Sequence, residues 1–217
     1  MRLRISPLAV WLASMAAVAL AVSPTAASDP IALAVKGRAN ATPAIAADGP
    51  FVIIAWGGTQ ASGATDVFAS VSRDGGRAFG APIRVNNVDG DARLNGEQPP
   101  QVALVRRAGR EPAISIVWTT KGATGTMLLQ SRSDDGGRSF RPASLVPGTD
   151  TAGNRGWEAI GVEPGGRVDA IWLDHRELAA GSTLAMSHHE HKSAGTHRTA
   201  WRWRSNRSCS SVRSTGR

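Results

Sequence analysis

An eight-residue phrase is written twice in this chain of 217 residues. Ser72-Arg73-Asp74-Gly75-Gly76-Arg77-Ala78-Phe79 returns as Ser133-Asp134-Asp135-Gly136-Gly137-Arg138-Ser139-Phe140, with Asp74 and Asp135 61 positions apart. Both copies obey Ser-x-Asp-x-Gly-x-x-Phe, through Ser72, Asp74, Gly76 and Phe79 in the first and Ser133, Asp135, Gly137 and Phe140 in the second. A fixed spacing of this size marks a repeat architecture, in which one supersecondary unit recurs and neighbours cover each other's apolar faces. The phrase itself predicts a tight hairpin. An aspartate carboxylate accepts hydrogen bonds from turn amides, paired glycines allow positive φ, and the phenylalanine plugs the gap between strands.

The rest of the repeat reads as strands. Phe51–Trp56, Ile114–Trp118 and Val168–Trp172 are apolar, rich in β-branched residues and end on tryptophan, a composition suited to a buried pleated surface. Shorter strands are expected before them (44–47, 101–105, 158–162) and after them (67–71, 127–131, 184–187). A fourth follows each box, at Ile83–Val85 and Leu145–Val146. Four antiparallel strands per unit make a propeller blade. The whole pattern resembles the Asp-box, or BNR repeat, of sialidase-like β-propellers. The expected fold is therefore all-β: an incomplete sialidase-like β-propeller of two full four-stranded blades and part of a third, over residues 28–195.

The ends of the chain differ from this body. Residues 1–27 read as a signal peptide: Arg2 and Arg4, an apolar run from Leu8 to Val22, then Thr25-Ala26-Ala27. The run is shorter than the roughly 20 residues of a membrane span, so a secreted or periplasmic product with no membrane span after leader removal is expected. Residues 196–217 are rich in arginine and serine and are expected to be a disordered tail. The formal charge of +8 is concentrated at these ends. The stretch 28–191 is nearly neutral, which argues against a nucleic-acid partner. Cys209 is the one cysteine, so an internal disulfide is excluded. A closed ring of such blades needs on the order of 300 residues, which suggests a truncated or frameshifted member with an open blade edge prone to self-association.

The resemblance places the active site on the rim opposite the boxes. The residues there are Arg93, Asn95, Glu97 and Gln98 between the first blades, Asn154, Arg155, Trp157 and Glu158 between the next, and Asp174, His175, Arg176 and Glu177 after the third Trp strand. Arginines grip carboxylates through paired hydrogen bonds, and carboxyls serve as acid and base in glycoside cleavage. Asp174, Glu97 and Glu158 are the candidate catalytic groups; Arg93, Arg155, Trp157, His175 and Arg176 are the candidate substrate contacts. Solvated surface ion pairs are the competing account of the same residues. Where a third box would start, the chain has Ser187-His188-His189-Glu190-His191 instead. His188, His189 and His191 could bind zinc, copper or nickel, or form a polar turn.

Sialidases use a tyrosine nucleophile, and this chain has no Tyr. The family's Phe/Tyr-Arg-Ile-Pro signature is also missing; Ala81-Pro82-Ile83-Arg84-Val85 is the nearest stretch. The expectation is an exported protein acting on or binding glycans, catalytically incomplete, with no cofactor. If active it would be an exo-α-sialidase type of glycoside hydrolase. The alternatives are a non-enzymatic extracytoplasmic binding propeller and a His-cluster metal-binding periplasmic protein.

Overall fold

Strands β1 (Ala39–Asp48), β2 (Phe51–Thr59), β3 (Thr65–Ser72) and β4 (Ile83–Arg84) form one sheet in that order. The pattern repeats in β5 (Gln101–Arg107), β6 (Arg110–Gly122), β7 (Gly125–Ser133) and β8 (Ser144–Leu145). Neighbouring strands are antiparallel throughout. The register repeats too: Trp56 faces Phe68 in the first sheet and Trp118 faces Leu129 in the second. This computed structural model describes residues 29–175 and 201–206. The chain is all-β there, two complete four-stranded blades and a third sheet of three strands.

The third sheet holds β9 (Arg155–Val162), β10 (Val168–Asp174) and β11 (Trp201–Asn206). In it β10 lies between β9 and β11. β11 runs antiparallel to β10, with Leu173 opposite Trp201 and Val168 opposite Asn206. Residues 201–206 of the tail are thus paired as a strand. An unpaired β10 edge leaves a row of backbone donors and acceptors open, and Trp-Arg-Trp-Arg has the period and aromatic content of a strand. The expected strand over 184–187, the leader and His188, His189 and His191 lie outside the described residues.

The blades are joined by apolar seams. Ile53, Ala55, Val67, Ala69 and Val71 of the first blade share a buried cluster with Ile114, Ile116 and Trp118 of the second. Val117, Leu128 and Val146 of the second do the same with Ala170 and Trp172 of the third. Period-2 alternation turns one side of each strand to each seam. On β1 the outward side has no such cover, and Ile45 is 66% exposed.

Both boxes form the predicted hairpin. Asp74 Oδ1 accepts from the Ser72 hydroxyl (2.7 Å) and from the amides of Arg77 (2.9 Å) and Ala78 (3.0 Å). Asp135 Oδ1 accepts from the Ser133 hydroxyl (2.7 Å) and the amides of Arg138 (2.9 Å) and Ser139 (3.0 Å). Each serine oxygen also receives an amide, from Gly76 (2.9 Å) or Gly137 (2.8 Å). The glycine pairs sit at φ 79° and 87°, then 71° and 81°. The Ser72 hydroxyl, with the turn amides, holds the Asp74 carboxyl below its usual range. Burial works against ionisation of Asp135, but its hydroxyl and amide donors outweigh it and the pKa is lowered. Both boxes are thus charged, self-satisfied turns. Phe140 packs against the first seam.

Candidate active site

The register separates two ends of every sheet. Asp48, Phe51 and Ser72 mark the box end of the first blade; Ala39, Thr59 and Thr65 mark the other. In the third sheet Arg155 faces Asp174 at that other end. The sequence-predicted residues within the described part lie at this end or on the loops leading to it.

Arg155 is fully buried and committed to structure. Its guanidinium donates to the carbonyls of Thr151, Gly153 (3.1 Å) and Ala152 (3.3 Å) and to the Thr151 hydroxyl (2.8 Å). Its Nε lies 3.8 Å from Asp174 Oδ2, both side chains being removed from water. Removing one partner from such a pair strands the other's charge in a dry site. Arg155 therefore locks the loop before β9 and fixes Asp174 at the rim.

Two residues further on, the strand bulges. The pairing of β9 with β10 shifts between Ile171 and Leu173, and Trp157 takes φ 51°. Left-handed backbone is unfavourable for a side chain of this size, and such strain is held where the surroundings over-determine it. The bulge interrupts the usual alternation. It leaves Trp157 43% exposed and turns Glu158 inward at 4%. The Trp157 ring sits 5.7 Å from the His175 ring, tilted by 31°. His175 is held by its amide on the Asn154 carbonyl, 2.9 Å away.

Glu158 Oε2 accepts from the Thr119 hydroxyl at 3.0 Å. Its Oε1 is buried with no hydrogen-bond partner. Burial pushes the carboxyl up, and the Thr119 bond only partly offsets this. Desolvation disfavours the charged form. Thr119 also links the neighbouring loop, because its carbonyl accepts from the Arg93 amide at 2.8 Å. Arg93 and Glu97 are exposed on that loop. Its turn is closed by Asn95, whose Oδ1 accepts the amides of Glu97 (2.9 Å) and Gln98 (3.1 Å). Gln98 lies against Gly156, where a Cβ would overlap its amide nitrogen.

The structure thus brings Arg155, Trp157, Glu158, Asp174 and His175 to one rim, with the Arg93–Gln98 loop against them. Arg176 lies outside the described residues. A second polar cluster was not foreseen. Asp66 is fully buried and accepts from Arg38 Nη1 (2.6 Å), Asn86 Nδ2 (2.8 Å) and the Gly90 amide (2.7 Å). Asn86 Nδ2 also donates to Asp91 at 2.9 Å. Burial raises the Asp91 pKa, and the Asp66 charge adds to it. Burial also opposes ionisation of Asp66, but Asn86, Gly90 and Arg38 together bring its pKa below the usual value. The one sequence signal was the Asn-Asn-Val-Asp-Gly-Asp loop over 86–91.

No protein-family model matches the chain, and no curated protein does. Among solved structures it is similar to an alpha-L-arabinanase of Penicillium chrysogenum complexed with arabinobiose, at 16% identity over 61% of this chain and 40% of that one, TM-score 0.42. An alpha-L-arabinofuranosidase of Fusarium graminearum is similar at 15% identity over 68% and 43%, TM-score 0.41. An endo-arabinase of Bacteroides thetaiotaomicron is similar at 14% over 66% and 54%, TM-score 0.39. The likeness is to β-propeller glycoside hydrolases. The chain spans about two fifths of the length of the first two. Among the described residues no group of three His, Cys, Asp or Glu could hold a metal ion, and no helix is long and apolar enough to cross a membrane.

Proposed function

We propose that this chain is an exported, sialidase-like propeller protein that binds glycans on the rim opposite its boxes. The observation that carries this is Trp157, an exposed indole held on a left-handed bulge beside the inward Glu158. A rigid aromatic face offers apolar contact to a sugar ring at low entropic cost. Arg93, His175 and Arg176 would meet an acidic sugar from the adjoining loops.

Glu158 would be the general acid of any glycoside cleavage, its pKa being raised by burial. Asp174 and Glu97 are the carboxylates available as its counterpart. Without a tyrosine the sialidase reaction lacks its nucleophile, so binding without turnover is the expected behaviour. The test is a glycan array with the leaderless chain, paired with a fluorogenic sialoside. Trp157→Ala should weaken glycan retention about tenfold with unchanged circular dichroism. Undiminished retention by that variant would remove the site, and sialic acid release would replace binding by catalysis.

A further inference from the structure

At the box end, the first seam opens into a cleft of about 510 Å³. Its walls are the β1–β2 turn, Arg73 of the first box, and the β5–β6 turn. Phe51 lies at its base, with the Arg73 guanidinium 5.7 Å from the ring centre. Four arginines line it, Arg73, Arg106, Arg107 and Arg110, against two carboxylates, Asp48 and Glu111.

Those carboxylates leave the arginines incompletely used. Arg106 grips Asp48 through Nε (3.0 Å) and Nη2 (2.6 Å), and its side chain is 84% exposed. Its Nη1 makes no hydrogen bond within the described residues. Arg73 grips Glu111 through Nε (2.5 Å) and Nη2 (3.1 Å). Arg107 is spent on backbone, the carbonyls of Glu111 and Asp134. Arg110 stands on the turn after Gly109, with no ion-pair partner among the described residues. The cleft therefore carries surplus positive charge over an apolar floor. The surplus is fixed, because guanidinium does not titrate in the physiological range.

We infer that this cleft binds an anionic polysaccharide, one carboxylate or sulfate being held between Arg106 and Arg110 while a sugar ring rests over the exposed Pro50. A glycan is favoured over a nucleic acid because the neighbouring surface mixes Asp74, Asp134 and Asp135 with its arginines, which suits spaced charges and repels a dense phosphate backbone. The site stands at the other end of the sheets from Trp157 and does not rest on the rim proposal.

The test is calorimetry of the leaderless chain with polygalacturonate, dextran sulfate, neutral dextran and a single-stranded oligonucleotide. Binding of either anionic polysaccharide is expected, and which one binds identifies the group. The affinity should fall with salt and stay level between pH 5 and 8. Arg110→Gln should weaken it about tenfold, as loss of one charge-assisted bond does. Arg106→Gln should weaken it similarly. Lys121→Gln, at the far rim, controls for net charge. Equal binding of neutral dextran, tighter binding of the oligonucleotide, or full affinity in Arg110→Gln with native circular dichroism would overturn the assignment.

Discussion

At the residue scale, the chain's chemistry is divided between carboxyls that are stabilised as anions and two, Asp91 and Glu158, whose burial works against the charge. Ser133 shows the first kind: its buried hydroxyl is shared between Asp135 and the Gly137 amide. Ser133→Ala leaves both short of a partner and should cost about 1–2 kcal/mol, measurable by urea unfolding. Glu158 shows the second kind. Its folded pKa is raised, so the folded state binds the proton more tightly than the unfolded one. Stability is then lost as pH rises through the ordinary carboxyl range towards the raised value. Glu158→Gln should therefore melt higher than the parent at pH 8 and lose that advantage at pH 4. A gap that does not change with pH would show that the Glu158 pKa is not raised in the fold.

At the element scale, the hairpins and the bulge carry opposite messages about what a sequence displays. The boxes were legible because their hydrogen bonds run within eight residues and are written twice. Glycine tests them directly. Gly75 and Gly137 share a left-handed φ, 79° and 81°. A Cβ at Gly75 meets nothing within 4 Å, whereas one at Gly137 comes within 2.6 Å of Val71 Cγ2 across the seam. Gly75→Ala should cost about 1 kcal/mol from backbone alone. Gly137→Ala should cost about 1–3 kcal/mol more, read as the difference in denaturation midpoints. The Trp157 bulge was not legible, since no residue in Arg-Gly-Trp-Glu requires a left-handed indole. Nor was the Arg38–Asp66–Asn86–Asp91 network. Its members come from three separate segments, and the second blade does not repeat it: Asp66 faces Gly58, while Met127 faces Thr120 at the matching place. β11 was not legible either, because its arginines read as charge more strongly than its period of two reads as a strand.

At the scale of the whole molecule, ion pairs cross the first seam alongside its apolar cluster. Glu111 of the second blade meets Arg73 of the first and Arg138 of its own box. The Arg73 hydrogen bond leads in lowering its pKa to about 2. The sign here is opposite to that of Glu158. The stabilisation is complete above the ordinary carboxyl value and is lost as pH falls from about 4.5 towards 2. Glu111→Gln should lower the melting temperature at pH 6 and converge with the parent near pH 2. Asp174→Asn should be the costlier change at neutral pH, about 3–5 kcal/mol, because Arg155 is dry and Glu111 is half open.

The first blade bends its inner strand as the third does. Its register slips between Ala41 and Ala44, and Thr42 adopts φ 54°. Thr42 and Trp157 are each the first residue of the bulge that lies opposite the middle-strand tryptophan, Trp56 or Trp172. The two bends differ in what they carry: Trp157 is 43% exposed, while Thr42 Oγ1 is buried with no hydrogen-bond partner among the described residues. The same backbone bend therefore serves two purposes, turning a small side chain inward in one blade and a large ring outward in another.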